Sequence, residues 1–387
     1  MVVLLVLDAE RFQTAPDLGP LVLRHPHGRV RARAAGLVDR DPGRAQVRHH
    51  RVALGLHDAR SEDALVEGGG PVRIGRLDGD VVDPWHAPPR MRRAVLVVNP
   101  FATQVTEERV EAVRAELSRG AAVETLLTER PGHAVELVEA VTETDAIFVF
   151  SGDGGFNEAL NGADGEVPLG FIPGGGTSVL PRTLGLPRDP VAAAAQLGEA
   201  LATGRTRRIS VGRANGRRFG FSCGVGLDAE AVRRVDELGR THEGRRPGDL
   251  AFVRVLAGIV LERRGRFDPV LEVRGLGRAA FAIVANANPY TYAGSVPVRA
   301  APLTEIGGGL DLVAPVRIRP SSLPRILAYV ARGRGQERAR DIIYGHDLDR
   351  IEIVCDKPLP VHVDGEDLGD VEELVCECER AAVPVLV

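Results

Sequence analysis

The stretch "FVFSGDGGFNEALNG", residues 148–162, runs from an apolar strand into a glycine turn that encloses Asp153 between Gly152 and Gly154, then straight into a helical segment. Glycines at a strand end let the backbone turn tightly and present amide N–H groups without Cβ obstruction. The positive end of the following helix adds to them, so the turn reads as an anion cradle with phosphate as its natural guest. An aspartate inside a cradle would repel phosphate unless it has another task. Asp153 either holds Mg²⁺ through water or fixes the turn by accepting from backbone amides; an ordinary Asp-Gly turn is the plain alternative.

Working outward, the pattern is regular from residue 94. "AVLVV" reads as a buried strand, 106–119 as a helix, "VETLLT" as a strand and "GHAVELVEAV" as a helix; strand "AIFVF" enters the quoted turn, and strand "PLGFI" enters a second one, "PGGGTSVLPRTLGLP". Strands alternating with helices predict a parallel α/β sheet, whose ligands lie outside the carboxyl ends of its strands. Both glycine turns stand at such ends. The second supplies more amides, the Thr177 hydroxyl and the fixed charge of Arg182. After an Ala-rich helix near 191–203 the texture turns to strands, from "RRISVG" and "RRFGFSCG" to "EELVCECE" and "VPVLV", interrupted by helical stretches near 228–263 and 321–333. The expected fold is therefore α/β plus β-rich: an N-terminal parallel-sheet domain, then an antiparallel, β-sandwich-like domain whose final strands return toward the first.

The first 90 residues are rich in Arg, His, Gly and Asp without sustained periodicity, although "MVVLLVL" resembles a strand. Their histidines lack the carboxylate or cysteine spacing of a metal site. Met1 and Met91 are the only methionines, and a clean strand follows the second, so Met91 is a candidate natural start. The expected division is 1–90 as an extension; 91–208 with about 375–387 as a nucleotide-binding domain; and 209–374 as a β-rich substrate domain.

Composition narrows the function. A formal net charge of −4 gives no global basic field for nucleic acid. The single lysine, Lys357, excludes a P-loop in the first 356 residues. Four cysteines, Cys223, Cys355, Cys376 and Cys378, are too few and too clustered for a secreted disulfide framework, which suggests a cytoplasmic protein. No apolar run is long enough for a membrane-spanning helix. The stretch "RRPGDLAFVRVLAGIVLERRGR" could dock at a membrane surface or be a core helix with solvated ends. Edge strands of the β domain leave room for a homodimer without demanding one.

From Met91 onward the chain resembles the diacylglycerol kinase catalytic-domain family, which includes bacterial lipid kinases and sphingosine kinases. The family's Gly-Gly-Asp-Gly-Thr-x-Asn-Glu-x-x-Asn-Gly motif corresponds to "SGDGGFNEALNG", with Asp153, Asn157, Glu158 and Asn161 in step. "PGGGTSVLPRTLGLP" resembles its second glycine motif, Asn99-Pro100 its opening Asn-Pro, "FGFSCGVGLDAEAVRRVD" its Gly-x-Gly-x-Asp segment and "VHVDGEDLG" its Asp-Gly-Glu motif. The resemblance implies ATP- and Mg²⁺-dependent phosphorylation of a lipid hydroxyl at a membrane surface, with diacylglycerol, a sphingoid base, an isoprenoid alcohol and a glycolipid all open as acceptors. Asn99, Thr128, Ser151, Gly152, Asp153, Gly154, Gly155, Asn157 and Thr177 match nucleotide-contacting positions. Asp364 and Glu366 match the catalytic Asp-Gly-Glu, with Glu366 as general base, and Asp153 joins them. Asp228 matches a head-group position, with Arg182 as a second substrate residue; a helix-start aspartate favoured by the dipole is the other reading of Asp228.

Four departures bear on activity. Ser151 replaces the first motif glycine, Gly155 replaces the motif threonine and its hydroxyl, Ser178 replaces the asparagine after Thr177, and Gly308 in "TEIGGGLDL" stands where a magnesium-binding aspartate is expected, leaving Asp311 or Glu305 to compensate. These departures keep open a catalytically silent lipid- or nucleotide-binding relative. A kinase of a soluble acceptor, such as NAD, shares the strand-end turn and is the third reading.

Overall fold

The computed structural model describes residues 92–239, 249–294 and 296–387, and before them the backbone of six short strands. The chain divides into two compact units, 1–90 and 91–387. In the first, β1 (Val2–Leu7), β5 (His50–Gly55) and β4 (Ala35–Gly36) form one antiparallel sheet, and β3 (Gly28–Ala32), β2 (Leu21–His25) and β6 (Leu65–Val66) another. The strand expected in "MVVLLVL" is β1.

The second unit opens with the alternating pattern read from sequence, β7 (Arg92–Val98), α1 (Glu107–Leu117), β8 (Ala121–Leu127), α2 (His133–Ala140), β9 (Ala146–Ser151), α3 (Asp153–Gly162), β10 (Leu169–Pro173), then α4 (Val179–Thr183), a short helix inside the stretch expected as a glycine turn, and α5 (Pro190–Thr203). The strands lie parallel in the order β8-β7-β9-β10. Residues of β9 alternate between two cores, as strand geometry requires. Ile147 and Val149 pack with α2 and α3, whereas Phe148 and Phe150 pack with α1 and α5. Burial on both faces explains why "AIFVF" is continuously apolar. Helix ends follow local chemistry: Thr106 caps α1 by accepting from Arg109 N–H, and Asp189 caps α5, which has proline in its first turn and left-handed Gly204 after its last.

The remainder comprises β11 (Thr206–Ala214), β12 (Arg217–Phe219), β13 (Ser222–Val225), α6 (Leu227–Glu237), α7 (Asp249–Glu262), β14 (Leu271–Val273), β15 (Gly277–Ala279), β16 (Ala282–Ala285), β17 (Thr291–Ala293), β18 (Val296–Val298), β19 (Leu310–Pro315), α8 (Leu323–Arg332), β20 (Ile342–Leu348), β21 (Arg350–Val363) and β22 (Glu366–Leu386). "RRFGFSCG" is thus two strands, and "RIEIVCD" and "LPVHVDG" are one. The helical stretch near 228–263 contains α6 and α7, and β15, β17, β18 and β20 are additional to the sequence reading.

β22 joins the two halves. It pairs antiparallel with β21 from Val363↔Glu366 to Arg350↔Glu377, antiparallel with β11 up to Thr206↔Leu386, and parallel with β10 at Leu169↔Val385. The antiparallel strands β20-β19-β16-β13-β21 and the parallel strands therefore belong to one hydrogen-bonded sheet. The final strand returns to the first domain as a continuation rather than as a separate piece. The positions 208/209 and 374/375 fall inside β11 and β22.

Candidate functional site

A cleft of about 720 Å³ opens at the carboxyl ends of the parallel strands. Asn99 follows β7, Thr128 follows β8, Ser151 ends β9 and Thr177 follows β10, and all four line the cleft. Gly152, Asp153, Gly154 and Gly155 do too; Asn157, one helical turn further on, is buried beneath it. The two glycine turns pack directly together. A Cβ on Gly175 would lie 2.9 Å from the Gly152 Cα, so this approach requires glycine. Asp153 Oδ1 accepts the Val179 N–H at 2.7 Å, tying the first turn to the second. Of its two sequence readings, fixing the turn is the one the hydrogen bond expresses.

The Asp-Gly-Glu segment enters from the other half. Asp364 and Gly365, with φ of 48° and 80°, make the tight turn between β21 and β22, and Glu366 is the first residue beyond it. Glu366 lines the cleft above the start of α3, where a Cβ on Gly154 would meet its Oε1 at 2.5 Å. Its Oε2 accepts from Arg217 Nη2 at 2.7 Å, and the same Nη2 donates to Asn157 Oδ1 at 3.0 Å. Both Arg217 and Glu366 keep about a third of their side chains exposed.

Asp364 differs from its expected place in the catalytic pair. It is buried and outside the cleft lining. Oδ2 accepts from Asn157 Nδ2 (2.9 Å) and Gly220 N–H (2.6 Å), and Oδ1 from Phe221 N–H (2.9 Å) and Ser222 N–H (3.0 Å). Burial pushes its carboxyl above the usual carboxylate range against the pull of these four donors. The carboxylate locks the turn that presents Glu366 onto α3 and the start of β13.

Other motif residues are anchors as well. Glu158 caps α2, accepting from Gly132 and Ala134 N–H at 2.8 and 3.1 Å. Asn161 accepts the Arg218 N–H, and Arg218 donates to the Leu160 and Ala163 carbonyls and pairs with Glu379 at 2.8 Å. Arg217 and Arg218 were missed by the sequence reading. The signal was present: Asn215-Gly216, both at positive φ, is a hairpin turn, and two arginines just after it must point to opposite faces.

The two expected substrate residues do not line this cleft. Asp228 is buried in α6, accepting from the Tyr290 hydroxyl at 2.9 Å and from His362 at 2.7 Å. His362 Nδ1 accepts the Gly365 N–H, so Nε2 carries the proton given to Asp228. Burial, then the Asp228 charge, drives the Tyr290 hydroxyl well above its ordinary value. Arg182 donates to the Thr177 and Gly294 carbonyls and its guanidinium stacks on Tyr292. It links α4 to the β17–β18 hairpin.

Beside Gly308, Glu305 is exposed and is the one of the two expected compensating carboxylates that lies next to the glycine. Asp311 is buried with its carboxylate taken by Tyr344, His346 and the Asp347 N–H, so it does not compensate. Asp347, facing Gly308, already holds the Gly309 N–H at 2.7 Å and Arg380 at 2.9 Å. Among the described residues no three His, Cys, Asp or Glu side chains gather into a metal-holding group.

Residues 93–214 match the family model described as the diacylglycerol kinase catalytic domain. A Bacillus subtilis protein named diacylglycerol kinase is 32% identical over 162 residues, 40% of this chain and 52% of its own length. A Streptococcus pneumoniae relative is 31% identical over 163 residues, 40% of this chain and 53% of its own. The chain thus spans about half the length of the curated relatives it matches. A Bacillus anthracis crystal structure titled a diacylglycerol kinase superimposes with a TM-score of 0.55 at 20% identity, covering 77% of this chain and 97% of that one, which shows a shared fold. The chain is thus similar to the diacylglycerol kinase catalytic-domain family over residues 93–214.

Proposed function

We propose that this protein is an ATP-dependent kinase of a lipid hydroxyl, diacylglycerol or a related lipid, with Glu366 as general base. The observation that carries the reading is the approach of the Glu366 carboxylate to Gly154, which sets a proton acceptor against an amide-rich strand-end turn in one cleft. Glycine turns of this kind hold phosphates through backbone N–H groups, and a helix N-terminus stabilises the charge. When bound, ATP would supply the phosphoryl group, and an accompanying Mg²⁺ would neutralise phosphate charge.

The chain's own residues do the rest. The amides of residues 152–155 and 176–177 bind and orient phosphate oxygens, the Gly175 N–H being taken by the Ser178 hydroxyl. Arg217 fixes Oε2 of Glu366, and Asp364 fixes the turn that carries it, so the carboxylate is aimed before substrate arrives. Glu366 then accepts the proton of the acceptor hydroxyl as the hydroxyl oxygen bonds to the terminal phosphorus; the bond from that phosphorus to the bridging oxygen breaks, and ADP leaves with the electron pair.

Purified protein incubated with Mg²⁺, γ-labelled ATP and a dispersed bacterial lipid extract should place label in the organic phase. The reading fails if nucleotide binds and no lipid acquires label. Label confined to a water-soluble product would point to a soluble acceptor instead.

A further inference from the structure

We infer that the hydroxyl lost at Gly155 has moved across the turn to Ser151, and that this hydroxyl is reserved for a phosphate oxygen of the bound nucleotide; the inference rests on the nucleotide-cleft reading above. Ser151 is 1% exposed, ends β9 at the floor of the cleft, and lines it. Its Oγ is buried without a hydrogen-bond partner. A buried hydroxyl without a partner costs stability, and because Ser151 lines the cleft, an oxygen bound there can supply the missing bond. The neighbouring backbone is already engaged in the fold: the Ser151 carbonyl accepts the Gly174 N–H at 2.7 Å.

Steric geometry explains why the exchange involves two positions. A Cβ at Gly155 would lie 2.1 Å from Ser151 Oγ and 2.7 Å from Ser151 Cβ. Both distances are below any real Cβ contact, and the second persists even if the hydroxyl rotates. In this backbone a side chain at 155 would compete with that of Ser151 for one space, so serine at 151 sits with glycine at 155 without either having to shift. The two departures from the family motif are therefore one change, and the hydroxyl is kept within the same pocket rather than deleted. A hydrogen bond from a hydroxyl to a charged phosphate oxygen is among the stronger kinds.

The test is binding of ADP and of adenosine to the full chain, by calorimetry, with thermal unfolding of each apo variant. Ser151→Ala removes the unpartnered hydroxyl and leaves no polar atom behind, so its apo Tm should equal or exceed that of the wild type. Its ADP affinity should nevertheless fall about tenfold, with adenosine affinity unchanged. Ser151→Gly should show the same ADP loss, Gly155→Thr alone should lose both stability and ADP binding, and Ser151→Gly with Gly155→Thr should return ADP affinity to within about threefold of wild type. Wild-type ADP affinity in Ser151→Ala, or no recovery in the double variant, overturns the inference. A folded wild-type protein that binds no ADP removes the nucleotide reading, and the inference with it.

Discussion

Two close contacts at the level of single residues separate chemistry from scaffolding. Gly154 has no room for a side chain on the Glu366 side, but what a methyl would meet is the flexible end of Glu366, 2.5 Å away. Gly154→Ala should therefore fold with nearly unchanged Tm while lowering kcat about 10- to 100-fold, because a carboxylate displaced by about 1 Å is misaimed. Steady-state kinetics beside thermal unfolding separates the two effects. Asp364 predicts the opposite pattern. Each of its oxygens accepts two donors, so in Asp364→Asn either orientation of the amide turns its NH₂ toward two N–H groups. Urea unfolding should show a loss of about 3 kcal/mol, and activity should fall with it.

Between elements, α3, the β11–β12 hairpin and β22 are held by one cluster of charges. Arg218 caps the end of α3 through two carbonyls and meets Glu379, which Arg213 also contacts. With Arg218 and Glu379 only 16% and 25% exposed, Arg218→Met should cost about 2–3 kcal/mol in urea unfolding, somewhat less than breaking a fully buried pair. Burial raises the Glu379 carboxyl, but Arg218 and Arg213 together outweigh burial and hold it below the usual range. Its folded pKa lies under its unfolded value of about 4.3. The stabilisation is then complete above that value and is lost as pH falls through the folded one. Stability measured from pH 6 down to pH 3 should drop less steeply in Glu379→Gln than in wild type; equal slopes would show that another carboxylate controls acid unfolding.

Across the molecule, the parallel half depends on the end of β22. Val383, Val385 and Leu386 are essentially inaccessible, and Val385 pairs with β10. At roughly 1.5–3 kcal/mol for each buried side chain, removing residues 382–387 would forfeit about as much as a domain's whole stability of about 5–15 kcal/mol. The truncated protein should lack a cooperative unfolding transition; a wild-type melting curve would show that the return strand is dispensable. The parallel half was legible in the sequence because burial on both faces makes its strands unbroken apolar runs that end in glycine turns. β22 was not, since its charges at Glu372, Glu373, Glu377, Glu379 and Arg380 divide one strand into apparent fragments. The roles of Arg217, Arg218 and Asp364 depend on partners 142 to 207 residues away, and nothing local encodes such pairs.

The most direct measurement is single-turnover transfer from γ-labelled ATP to bacterial lipid by the wild type and Glu366→Gln, with nucleotide affinity determined for both. Wild type should label a lipid, and Glu366→Gln should bind nucleotide within about threefold of wild type while transferring at least about 100-fold more slowly. Equal transfer rates would remove Glu366 as the base. Nucleotide binding without a labelled lipid would contradict lipid kinase activity itself.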